Sequence, residues 1–61
     1  MNKFEVGDKV WKPLGYEFSG EIIGVFKKLD GQIRYAVEST SDGSRGVVHI
    51  FRASQLKAVE Q

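Results

Sequence analysis

Cysteine is absent from this chain, histidine and proline occur once each, and no apolar run approaches the length of a membrane helix, which needs roughly 20 residues. Without cysteine there is no disulfide and no thiolate metal site, which fits a reducing cytoplasm. The lone histidine, His49, has no second histidine with which to complete a zinc site. Residues 1–4 carry no signal-peptide pattern, so the expected location is cytoplasmic. An excess of one charge is also missing. Nine basic and eight acidic residues leave a net charge of +1, and a protein built on a phosphate backbone usually shows a clear basic excess. Nucleic acid is therefore not the expected partner.

Catalytic constellations are lacking too. No glycine-rich phosphate loop leads into a helix. No nucleophile has a paired base, and Ser19, Ser39, Ser41, Ser44 and Ser54 all read as solvated turn residues. Glu21, Glu38 and Asp42 show no pattern of carboxylates held at working distance. With 61 residues the chain has room for one domain, 1–61, with an ordered core over about 5–59. A domain of this size buries only about 60% of the surface its unfolded chain exposes. Small scaffolds generally need a further staple, and with disulfides and metal excluded, self-association remains.

Short apolar runs separated by turn residues predict an all-β fold, a small five-stranded SH3-like barrel. Gly7-Asp8 opens a first strand over 9–12, and Pro13-Leu14-Gly15 begins a loop that runs to Ser19. Residues 20–28 read as the second strand, with β-branched and aromatic Ile22, Ile23, Val25 and Phe26. Gly24 in its middle predicts a bulge or bend. Asp30-Gly31 is a strong hairpin signal, followed by a third strand over 33–38. A polar loop then leads to a fourth strand over 47–51, one helical turn within 52–56, and a last short strand over 57–59. Glu60 and Gln61 are expected to fray.

Few residues offer chemistry. Lys12 ends a strand before Pro13; its plain reading is an exposed strand-end lysine. His49 lies between Val48 and Ile50 and reads most simply as a partly buried, hydrogen-bonded histidine. If Val48 and Ile50 fill the barrel, alternation turns Val47, His49 and Phe51 outward, forming an interface or ligand surface. Trp11 reads equally well as core packing or as a surface aromatic. The monomer is too small to enclose a ligand cavity of the usual 300–1,000 Å³ or so, so a cofactor-sized site would form between chains.

These residues resemble the plasmid-type (type II) dihydrofolate reductases. Gly7-Asp8-Lys9-Val10 is similar to that family's Gly-Asp-basic-Val opening, and Lys12 falls on a family lysine followed by a matching Gly15. Phe18 takes the place of a tryptophan, and Ser19-Gly20-Glu21-Ile22-Ile23-Gly24 is similar to Gln-Gly-Gln-Ile-Val-Gly. Tyr35-Ala36-Val37-Glu38-Ser39 matches the family string residue for residue, and Val48-His49-Ile50-Phe51 falls on its Val-Gln-Ile-Tyr active-site strand. The resemblance runs from Gly7 to about Leu56, with a loop of altered length between Thr40 and Val47.

The resemblance implies a homotetramer of SH3-like barrels around one pore. There NADPH and dihydrofolate meet and tetrahydrofolate is formed, an oxidoreductase step of one-carbon metabolism that is insensitive to trimethoprim and so confers resistance. No general acid is implied; catalysis consists of holding two reactants in a near-attack arrangement. Lys12 would hold anionic groups of cofactor and substrate. Ile50 would offer an apolar wall and backbone groups to the nicotinamide, with Val48 supporting that wall. His49 and Phe51 stand where the family has glutamine and tyrosine. Histidine, unlike glutamine, changes charge near neutral pH, so ligand binding is expected to depend on pH. Phe51 lacks a hydroxyl that could reach the cofactor. The rival readings are non-catalytic modules. An RNA-binding barrel would use Lys3, Lys9, Lys12, Lys27, Lys28 and Arg34 as a stripe, and a peptide adaptor would use Trp11, Tyr16 and Tyr35.

Overall fold

The structure is a computed structural model that describes residues 3–59. Five antiparallel strands form one sheet: β1 (Lys9–Lys12), β2 (Phe18–Lys27), β3 (Ile33–Ser39), β4 (Val48–Phe51) and β5 (Lys57–Ala58). Their order is β4-β3-β2-β1-β5. A 3₁₀ turn, Ala53–Gln55, separates β4 from β5. The fold is all-β and SH3-like. The sheet curls over its inner face but is not closed by strand pairing, so β4 and β5 are its two edges. Among the described residues no helix is long and apolar enough to cross a membrane. Glu60 and Gln61, expected to fray, lie outside the described residues, as do Met1 and Asn2.

Period-two alternation fixes which side chains meet inside. Val10, Phe18, Ile22, Tyr35, Val37 and Phe51 alternate inward from four strands and are joined by Phe4 and Leu56. Each such burial contributes about 1.5–3 kcal/mol. Phe4 lies just outside the expected 5–59 core. It belongs because its ring sits edge-on to Tyr35 at 5.4 Å and the Tyr35 hydroxyl accepts from the Lys3 and Phe4 amides at 3.0 and 3.4 Å.

Two glycines shape the sheet. A register shift between Ile22 and Gly24 supplies the expected bulge. Gly20, paired with Ser39, packs so closely on β3 that a Cβ there would overlap the Glu38 carbonyl. The same close approach corrects the reading of Ser39 as a solvated turn residue. It ends β3, is buried, and shares a 2.8 Å hydrogen bond with the Ser44 hydroxyl. Ser19 likewise lies in β2, half-buried, with its hydroxyl 2.9 Å from that of Ser41.

The larger correction concerns β4. Its register pairs Phe51 with Tyr35 and His49 with Val37. Tyr35 and Val37 face the core, and residues directly opposite in an antiparallel pair share a face. Phe51, 2% exposed, therefore points inward with His49, while Val48 and Ile50 point outward at 44% and 52% exposed. The expected orientation is reversed. Burying the Phe51 ring removes more apolar surface from water than burying Val48 would.

Candidate functional site at the ends of β1 and β4

Three segments converge beneath the open end of the sheet. β1 delivers Lys12, the β1–β2 loop delivers Tyr16, and β4 delivers His49. Pro13 fixes its own φ near −65° and starts the loop; Gly15, at φ +79°, turns it back. Lys12 is paired with Phe18 across β1 and β2, which sets its stem on the inner side of the sheet. Its ammonium donates to the Leu14 carbonyl and lies 4.2 Å from the centre of the Tyr16 ring. A cation over an aromatic face is worth about 0.5–1 kcal/mol at an exposed site. Lys12 is thus half-buried and tethered, unlike a free strand-end lysine.

Tyr16 then reaches across to β4. Its hydroxyl lies 3.0 Å from His49 Nδ1, a contact spanning 33 residues. The imidazole is stacked on Phe18 at 4.6 Å with an 18° interplanar angle. Phe51 closes the cluster from below, 5.2 Å from Phe18. The stack holds the imidazole plane and the tyrosine fixes its rotation about that plane. His49 Nε2 makes no hydrogen bond among the described residues. An open depression of about 350 Å³ is lined by Lys12 together with Trp11, Phe18, Ser19 and Ser41.

The residues singled out in the sequence therefore divide between two faces. Lys12 and His49 come together through Tyr16, with Phe51 packed beneath them. Val48 and Ile50 occupy the opposite face of β4, where Ile50 pairs with Ala36 and Ala36 with Gly24. Trp11 is a surface aromatic opposite Ser19 and Lys57. Tyr16, expected only in the aromatic groove of the rival peptide adaptor, and Phe18 are the members that the sequence did not place in this site. The available signal was a Tyr-x-Phe alternation, Tyr16 to Phe18, leading into β2.

The basic stripe of the rival RNA-binding reading is interrupted. Lys9 lies 3.8 Å from Glu21 and Lys28 lies 3.5 Å from Asp30. Arg34 is turned onto Gln32 and the Ile33 carbonyl. Among the described residues no group of three or more histidine, aspartate or glutamate side chains is placed to hold a metal ion. Neither a scan against the models of known protein families nor a search of curated proteins finds a match for this chain.

Proposed function

We propose that this protein is a type II dihydrofolate reductase-like enzyme of the cytoplasm, a homotetramer that reduces dihydrofolate with NADPH in a pore between subunits and is insensitive to trimethoprim. The observation that carries the reading is the character of β4, an edge strand with apolar Val48 and Ile50 exposed on one face and, on the other, His49 joined through Tyr16 to the Lys12 ammonium. An edge strand of this kind needs a covering partner, and a second copy of the chain is the partner the pore requires. NADPH would supply the hydride. The protein's part is to hold, Lys12 for an anionic phosphate or carboxylate and His49 as a hydrogen-bonding group, while Ile50, on the opposite face of β4, would meet the neighbouring subunit and not the ligand beside His49. Phe51, facing inward, acts by backing His49 and not by touching cofactor. Catalysis by orientation alone supplies about 7–11 kcal/mol in well-aligned cases.

The test is NADPH oxidation by purified protein with dihydrofolate, with and without trimethoprim, together with mass by light scattering. Turnover by a tetramer, unchanged by trimethoprim, is the expected result. A protein that turns over no NADPH at any concentration at which it is assembled overturns the reading.

A further inference from the structure

Tyr16 is the residue that joins Lys12 to His49, and the structure assigns it as the positioning residue of this site. The Tyr16 hydroxyl donates to His49 Nδ1 and so fixes the neutral imidazole as its Nε2–H tautomer, presenting one N–H donor of constant direction on the ring edge away from Tyr16. Two distances and the chemistry of the two groups carry this. The oxygen–nitrogen distance is 3.0 Å. A neutral imidazole has one N–H and one bare acceptor nitrogen, and a partner on one nitrogen decides which is which. A phenol is the better donor of the two groups, because its oxygen lone pair is delocalised into the ring. The Lys12 ammonium, 4.2 Å from the centre of that ring, draws electron density from it and makes the hydroxyl a stronger donor and a weaker acceptor.

Phe18 completes the arrangement. Stacked at 4.6 Å, it leaves the imidazole free to exchange its two edges only by a half-turn, and that turn would break the tyrosine bond. The group so presented, a neutral N–H donor of fixed direction, suits a ligand that carries a carbonyl or carboxamide acceptor. Assignment of that ligand to NADPH rests on the reductase reading; the tautomer does not.

The chain holds a single histidine, so its side-chain nitrogens can be read by ¹⁵N NMR of the intact protein at pH 8 without ambiguity. The expected wild-type spectrum shows Nδ1 bare and Nε2 protonated. Tyr16→Phe keeps the ring under Lys12 and should give a mixture of tautomers, with unchanged backbone shifts in the strands. NADPH binding, followed by titration in the same samples, should weaken about twofold, because only the fraction of imidazole in the Nε2–H form binds. A wild-type Nδ1–H form, or a tautomer that Tyr16→Phe leaves unchanged, overturns the assignment. If the tautomer behaves as expected and NADPH binds neither protein, the assignment of Tyr16 stands and the reductase reading falls.

Discussion

The Tyr35 side chain illustrates how much one buried group does in so small a core. Its ring is almost fully buried, and its hydroxyl accepts the two backbone amides, Lys3 and Phe4, that tie the start of the described chain to the sheet. Tyr35→Phe keeps the ring and removes the acceptor, and one part-buried and one buried amide lose their partner. The expected cost is about 1–2 kcal/mol, seen as a lower urea midpoint at unchanged slope; an unchanged midpoint would mean that the hydroxyl does not anchor the segment. At the site, a second substitution follows from the proposed function. Glutamine has no titratable group, so under the proposed function His49→Gln should flatten the pH profile of NADPH oxidation. A profile that keeps its shape would place His49 outside the reaction. Lys12 and His49 were legible in the sequence as candidates, because one ends a strand before proline and the other interrupts an apolar strand. Tyr16 was legible only as an aromatic of a peptide groove and not as the partner of His49, because a loop residue has no periodicity to give its direction and its partner lies 33 positions away.

Among the elements, the β2–β3 hairpin is the one the chain announces most clearly, since Asp30-Gly31 between two β-branched runs leaves few alternatives. The Asp30 carboxylate accepts from the Gln32 amide at 3.0 Å. That bond first, then the nearby Lys28 and Arg34 charges, holds its pKa below the ordinary 3.8. A carboxylate with a depressed folded pKa contributes stability that is present above 3.8 and is lost as pH falls through the lower folded value. Asp30→Asn should therefore reduce the acid sensitivity of folding below about pH 4, measured as the pH dependence of the thermal midpoint; an identical dependence would show that the turn bond carries no charge effect. Gly31, at φ +90°, tolerates no side chain without strain, and Gly31→Ala should destabilise by about 1 kcal/mol or more. The facing of β4 was illegible for a definite reason. Val47, Val48, Ile50 and Phe51 are all apolar, so alternation alone cannot choose a face. The choice comes from β3, where Arg34, Ala36 and Glu38 alternate with Ile33, Tyr35 and Val37. It passes to β4 only through a register set by the polar loop between them. In that loop Ser39 takes the Val47 carbonyl and Gly46 returns to the Ser39 carbonyl, at 2.8 and 3.1 Å.

For the whole molecule, the reversal of β4 moves the exposed apolar surface without removing it. Ile50, Ala36 and Gly24 form a cross-strand row on the outer face, with Val48 on one side and Phe26 on the other. This row runs out to the free edge of the sheet, where unpaired backbone groups and apolar side chains occur together. Covering such a row with a second copy would supply the stabilisation that a 61-residue chain without disulfides otherwise lacks. Under the proposed assembly, wild-type protein should scatter light as a multiple of 6.8 kDa, and its thermal midpoint should rise with concentration, because association stabilises only the folded chain. Ile50→Lys places a charge in the middle of the row yet leaves the core untouched, since the side chain points away from Tyr35 and Phe51. It should yield a folded monomer with the wild-type far-ultraviolet spectrum and a midpoint that no longer depends on concentration. A wild-type protein that stays at 6.8 kDa when concentrated would remove the pore, and with it the proposed route to catalysis. An assembly that survives Ile50→Lys would put the subunit contact on another surface.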